Sequence, residues 1–198
     1  MKIALVFAAF GAATSDAWIS VNSANSRSCK ATSLMQSEQR ASVTASSTEL
    51  GAVEVVGKGR IGSLFEADDV TFIGRNDKIN PDASGPILLA TRNDALDGIV
   101  ENCPESRRKD LVFMQNGYLD NFLKSKGLLD NTQVLLYLSV PSLGAEPTDG
   151  VTSVNPEGLT AATGIHAQAF ADRLASLNLK CKVVAPEQYR PAMFEKLM

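Results

Sequence analysis

The chain has 198 residues, a formal net charge of −3, 44% apolar residues, three cysteines and one histidine. This length holds one domain of ordinary size with an appendage, and the apolar content excludes wholesale disorder. An acidic balance, with no basic stripe and no interleaved aromatics, excludes a general nucleic-acid binder. Cys29, Cys103 and Cys181 form no C-x-x-C pair, so neither a zinc site nor a disulfide framework is expected. Cys103 and Cys181 read as free thiols. His166 falls at an expected helix start and reads as a structural residue rather than a catalytic one.

Residues 1–17 carry one early lysine (Lys2), an apolar run and a small-residue end. That is the pattern of a secretory signal peptide, too short to anchor in a bilayer. Residues 18–48 are rich in Ser, Ala and Thr, with Arg27, Lys30 and Arg40 against the single acid Glu38. This composition suits a transit peptide and cannot build a packed core. In series, with Trp18 just after Asp16-Ala17, the two segments resemble the bipartite leaders of algae with secondary plastids. A plastid location is therefore expected, with simple secretion as the alternative and no stable membrane anchor. The leader holds four basic residues against two acids, so the remainder is more acidic than the whole.

A β-branched run over 52–56 then breaks into Gly57, Gly59 and Gly62, the G-x-G-x-x-G spacing at the end of a strand. Each glycine answers a physical demand: a tight turn at Gly57, close backbone approach to a pyrophosphate at Gly59, and close helix–strand packing at Gly62. Lys58, Arg60 and Ile61 complete the candidate cofactor loop. A short helix over 61–67 would offer its free N–H groups to the pyrophosphate. A glycine-rich turn without a ligand is the alternative. Val70–Ile73 is the second strand, reached after about a dozen residues, near the minimum for a parallel crossover. The next segment, Gly74-Arg75-Asn76-Asp77-Lys78, stands where an acid would bind the ribose of NAD or a base the 2′-phosphate of NADP. Arg75, with Lys78 nearby, predicts NADP in preference to NAD; Asp77 turning inward, or Arg75 as a solvated loop charge, is the alternative.

Beyond the turn at 81–86, residues 87–91 read as a buried parallel strand. Asn93-Asp94 would cap a helix over 95–101, and 104–110 is a charged connector. Residues 111–114 form a strand ending in Gln115-Asn116-Gly117, at the strand edge where open α/β sheets bind ligands. A helix over 118–126 stops at Gly127. Residues 133–140 form a strong strand, followed by loops over 141–158. A helix over 165–177, a strand over 180–184 and a helix over 187–198 close the chain. Alternating strands and helices predict an α/β fold, a Rossmann-like doubly wound parallel sheet. Residues 49–185 make this domain, and 186–198 begin a helical one.

The motifs Gly57–Gly62, Thr91-Arg92, Gln115-Asn116-Gly117 and Phe194-Glu195-Lys196-Leu197 come in the order found in ketopantoate reductase and its relatives, which the chain resembles over about residues 52–198. The resemblance implies an NADPH-dependent oxidoreductase that reduces a 2-keto acid or similar ketone by hydride transfer. It puts the pyrophosphate on Gly57, Gly59 and Gly62 and makes Arg92 the basic residue that touches cofactor. Asn116 then binds cofactor and substrate, and Lys196 is the general acid; an exposed helical lysine is the alternative for Lys196. Hydride addition leaves alkoxide charge on oxygen, which a positioned ammonium can stabilise and protonate. The family continues into a helical domain with further substrate ligands, so the resemblance also implies an incomplete active site within these 198 residues. The rival reading is a non-catalytic dinucleotide-binding or protein-interaction module in the plastid. Met193, Phe194, Leu197 and Met198 on an exposed last helix would invite pairing into a homodimer.

Overall fold

Short apolar runs set the strands of the computed structural model, which describes residues 52–197. The leader segments 1–17 and 18–48 lie outside the described residues. Strands β1 (Val53–Val56), β2 (Val70–Ile73), β3 (Ile87–Leu89), β4 (Leu111–Phe113) and β5 (Thr132–Leu135) are parallel, in the spatial order β2-β1-β3-β4-β5. Every residue of β1, β3, β4 and β5 is buried. Burial on both faces is what a covered sheet requires, and it takes in the polar Glu54, Thr132 and Gln133 as well as the apolar residues. The strand order reverses at β1, which opens a crevice between the carboxyl ends of β1 and β3.

A separate ribbon of β6 (Leu138–Ser139) and β7 (Thr148–Asp149) follows. The main sheet then gains β8 (Ala161–Thr163), antiparallel to β5, and β9 (Lys182–Val183), parallel to β8. The sheet is therefore mostly parallel, which corrects the all-parallel expectation at one pairing. Helices α1 (Leu96–Asn102) and α2 (Asp120–Lys126) cover one face, where Leu96, Val100 and Leu123 pack on Val56, Leu89 and Phe113. Helix α3 (Ala167–Ser176) covers the other, with Phe170 and Leu174 against Val55, Val112 and Val134. Adjacent strand residues such as Val55 and Val56 thus serve opposite cores, as the period of two demands. The last helix, α4 (Pro186–Leu197), buries Tyr189 and Met193 on Leu135. Met193 is 3% exposed and Phe194 50%, so only part of the expected apolar surface of this helix faces water.

Three further expectations are corrected, and one segment without an expected element proves to be a strand. The helix over 61–67 is one 3-10 turn, Gly62–Phe65. The strand over 133–140 stops at Leu135, because the Tyr137 N–H turns to the Thr160 hydroxyl at 3.0 Å instead of the ladder. The segment over 159–164 carried no strand signal, yet its small residues Ala161 and Ala162 are buried in β8. The charged connector coils into a 3-10 helix, Glu105–Asp110, that buries Arg107 to 2% exposure.

Arg107 is the centre of a buried polar network at the amino ends of the strands. Its Nε donates to Asp110 Oδ2 at 2.9 Å, and Nη1 lies 2.9 Å from Glu54 Oε2 in β1. The same guanidinium donates to the carbonyls of Asn80 (2.9 Å) and Gly85 (3.0 Å), in the connector between β2 and β3. His166 stands at the N-terminal boundary of α3, and its ring sits 3.1 Å from the other oxygen of Asp110. A second tie runs from Arg173 of α3 to Asp69, and this hydrogen bond holds the Asp69 carboxyl below the usual carboxylate range. Both described cysteines are free, and burial pushes the Cys103 thiol up to about 11 and the Cys181 thiol to about 12.

Replacing Arg107 by Met should lower unfolding stability by about 3–5 kcal/mol, because Glu54 and Asp110 would be left buried without their cation. Urea denaturation measures this. A loss below about 1 kcal/mol would show that the network does not hold the sheet.

Candidate functional site

The loops that leave β1, β2 and β3 at their carboxyl ends enclose a cleft of about 1410 Å³ together with the first turns of α1. Gly57–Ile61, Gly74–Ile79 and Ala90–Arg92 form its walls. Two hydrogen bonds pin the mouth: Gly57 N–H to Ile73 O (3.1 Å) and Ala90 N–H to Val56 O (3.0 Å).

The three glycines meet three different surroundings. Gly57 has φ of 95°, and a Cβ there would come 2.9 Å from Ala90 O. A Cβ on Gly62 would lie 2.0 Å from the Gly57 carbonyl oxygen, so the 3-10 turn closes onto the loop only with glycine. At Gly59 a Cβ would meet no atom within 4 Å, leaving open space above the loop backbone. Among the described residues the N–H groups of Lys58, Gly59 and Arg60 have no hydrogen-bond partner, so three consecutive donors remain for a ligand. Successive free N–H groups of this kind make an anion-binding concavity. The four-residue 3-10 turn behind them is no substitute for a full α-helix, so the helix dipole expected from the sequence contributes little.

The charged candidates divide into engaged and free. Lys58 Nζ donates to Glu66 Oε1 at 2.6 Å and lies 4.6 Å from the Phe72 ring centroid. Arg60 Nη1 reaches the Val140 carbonyl at 3.2 Å, tying the glycine loop to the end of β6. Ile61 is half-buried and packs on the core. Asp77 stays exposed and accepts the Gly74 N–H of its own turn at 2.8 Å. Arg75 and Lys78 line the cleft and, among the described residues, make no ion pair. Arg92 is 88% exposed, with Nε 3.3 Å from Asp94 at the rim.

The second group lies further along the same sheet edge. Gln115 follows β4 and donates to the carbonyls of Leu89 (2.7 Å) and Thr91 (3.3 Å), while Asn93 donates to Asn116 O at 3.2 Å. These bonds join the Asn116 turn to the cleft wall. Lys196, arriving from α4, donates from Nζ to Asn116 Oδ1 at 2.7 Å and to the Leu136 carbonyl. The structure thus brings Lys196 and Asn116 together across 80 residues of sequence. Burial moves the Lys196 ammonium below the ordinary lysine value. Sequence reasoning missed Tyr137, whose ring centroid is 4.6 Å from Lys196 Nζ, and the Asn93 and Gln115 braces. The expected strand over 133–140 hid Tyr137; Gln115 and Asn93 were read only as turn and cap. Among the described residues no cluster of His, Cys, Asp or Glu could hold a metal ion, and no helix is long and apolar enough to cross a membrane.

No family model matches the chain, and no curated protein matches it. Among solved structures, the chain is similar to dimeric ketopantoate reductase from Staphylococcus aureus (16% identity, TM-score 0.42, covering 67% of this chain and 54% of that one). It is also similar to probable 2-dehydropantoate 2-reductase from Bacillus subtilis (14% identity, TM-score 0.40, 67% and 58%). A third is D-mandelate dehydrogenase, in a ternary structure with NADH and anilino(oxo)acetate (11% identity, TM-score 0.43, 67% and 56%). The chain spans little more than half the length of each of these proteins.

Two glycine substitutions separate structure from binding. Gly62→Ala should destabilise the fold by about 1–3 kcal/mol through overpacking against Gly57. Gly59→Ala should change thermal stability little and instead weaken any dinucleotide by tenfold or more. Thermal melts and nucleotide titrations of the two variants read this directly, and the reverse pattern would remove the loop as a ligand cradle.

Proposed function

We propose that the chain binds a nicotinamide dinucleotide, NADP in preference to NAD, and serves as an oxidoreductase that reduces a 2-keto acid or similar ketone. One observation carries this reading. A cleft with three free N–H donors at the switch point and an ammonium held on a side-chain amide lie along one sheet edge, braced together by Asn93 and Gln115. A dinucleotide fits the residues present. Gly57, Gly59, Lys58, Arg60 and Ile61 would cradle the pyrophosphate, chiefly through backbone N–H groups, since the Lys58 and Arg60 heads are engaged elsewhere. Arg75 would receive the 2′-phosphate, because Asp77, the one carboxylate in Gly74–Lys78, is spent on the Gly74 N–H. Arg92, on the cleft rim, would meet the cofactor from the side of β3.

When bound, the nicotinamide supplies a hydride. The protein's part is to hold a carbonyl at the Asn116–Lys196 pair and to supply a proton from Lys196 Nζ as negative charge grows on its oxygen. A pKa below the ordinary lysine value suits this role, because burial makes the proton easier to give up than that of an exposed lysine. Turnover needs the ammonium form, so the rate should fall as pH rises through the lowered Lys196 pKa. Residues 1–48 are read as the leader to a plastid, and Phe194 as a contact between two copies of the chain.

The rival reading, a dinucleotide-binding or protein-interaction module without chemistry, draws on the single 3-10 turn behind the glycine loop, which provides little dipole for a pyrophosphate. Titration of NADPH and NADH against the chain lacking residues 1–48 tests binding. Arg75→Glu should weaken NADPH by about tenfold or more, the worth of one charge-assisted contact, and leave NADH nearly unchanged. Equal losses would sink the 2′-phosphate assignment. Lys196→Ala should cut turnover of a 2-keto acid by about 10²–10⁴-fold while dinucleotide affinity stays within a few fold. Binding without turnover in any keto-acid screen would favour the module.

A further inference from the structure

The junction between Leu136 and Tyr137, just past the end of β5, is used by neither the sheet nor the dinucleotide cleft. In a trans peptide unit the N–H and the C=O point in opposite directions. Here the Tyr137 N–H is taken by Thr160 Oγ1 at 3.0 Å, from a threonine that is 1% exposed. The carbonyl at the other side of the same peptide, that of Leu136, accepts the Lys196 ammonium. The Tyr137 side chain then lays its ring face against that ammonium, with Nζ 4.6 Å from the centroid. Asn116 Oδ1 completes the set at 2.7 Å.

All three partners of the ammonium are neutral. Among the described residues Lys196 makes no ion pair. Glu195 acts on Tyr137, and Asp120 pairs with Arg190 of α4 at 3.4 Å rather than with Lys196. A carboxylate partner would also have fixed the lysine, but it would have raised the pKa and made a poorer acid. A ring face and a carbonyl dipole orient the group with less stabilisation of its charge. An ammonium has three N–H donors. Two are taken by Leu136 O and Asn116 Oδ1, which leaves the direction of the third determined.

We propose that Tyr137 is a positioning residue for Lys196: its ring face, and the Leu136 carbonyl that Thr160 pins in place, hold the ammonium on Asn116 without a counter-ion. The inference rests on Lys196 as the proton donor of the proposed reaction. Tyr137 meets the site through Lys196, and Thr160 through the Leu136–Tyr137 peptide, so both act through Lys196.

The test is an NMR titration of the chain carrying ¹³C at lysine Cε, with the Lys196 signal assigned from Lys196→Arg. Four proteins are compared: the parent, Tyr137→Phe, Tyr137→Leu and Thr160→Val. Lys196 should titrate below the other lysines in the parent. It should do the same in Tyr137→Phe, which keeps the ring face. In Tyr137→Leu the apolar neighbour remains but the cation–π attraction is lost, so the midpoint should fall by about half a pH unit to one unit. Thr160→Val should move it the same way, because the unpinned peptide lets the Leu136 carbonyl swing off the ammonium. A Lys196 midpoint in Tyr137→Leu equal to that of the parent would overturn the proposal. If that variant fails to fold, an unmoved midpoint in Thr160→Val overturns it instead. The titration needs neither substrate nor dinucleotide. Failure to bind NADPH would therefore remove the proposed function while the NMR result still decided the role of Tyr137.

Discussion

A single buried guanidinium, that of Arg107, sets the lower edge of this fold. The return from β2 to β3 passes over β1 in a connector with no helix of its own, and such a segment has few ways to satisfy its backbone carbonyls. Arg107 takes two of them, at Asn80 and Gly85, while its charge is balanced by Glu54 in β1 and Asp110 before β4. One side chain therefore fixes the spacing of three strands at their amino ends. With that end clamped, the carboxyl ends are free to diverge into loops, and the cleft forms there.

The division of labour along the upper edge follows the topology. The loops after β1 and β2 offer donors and unpaired cations, suited to phosphate and ribose groups. The loops after β4 and β5 offer an amide, a carbonyl and a ring face, and α4 adds one ammonium, a set suited to a carbonyl that gains charge. The Arg60 reach to Val140 couples these halves, because it joins the glycine loop to the β6 end of the second group. Specific recognition and chemistry are thereby placed on loops held by a rigid scaffold, the arrangement that lets a common sheet carry a particular reaction.

Much of this was legible in the sequence, and the remainder was hidden for identifiable reasons. Residues 70–73 read as a strand and form one over the same bounds, because their β-branched and aromatic residues have no competing signal. The spacing of Gly57, Gly59 and Gly62 gave the loop, and each glycine faces a different steric environment, as its position in the motif leads one to expect. Ala161–Thr163 escaped notice, since alanine has little strand preference and its burial is decided by β5 and α3. Arg107 was not singled out within the charged connector over 104–110, because composition cannot show that three basic residues in a row face different ways once coiled in a 3-10 helix. Tyr137 was lost inside an apolar run that tertiary contacts interrupt, where a hydroxyl from residue 160 outcompetes the ladder.

Helix α4 also carries a consequence for the order in which the molecule comes apart. Pro191 sits within it and cannot donate to the carbonyl one turn back, and its buried contacts centre on Tyr189 and Met193. It is a weakly fastened unit laid on a strongly fastened sheet, and regions of that kind open locally at a free energy well below that of global unfolding. Each such opening carries Lys196 away from Asn116 and Leu136 while the glycine loop, on β1 and β3, keeps its shape. Under mild denaturant or warming, the cleft should outlast the ammonium site, so that the two halves of one sheet edge have separate lifetimes.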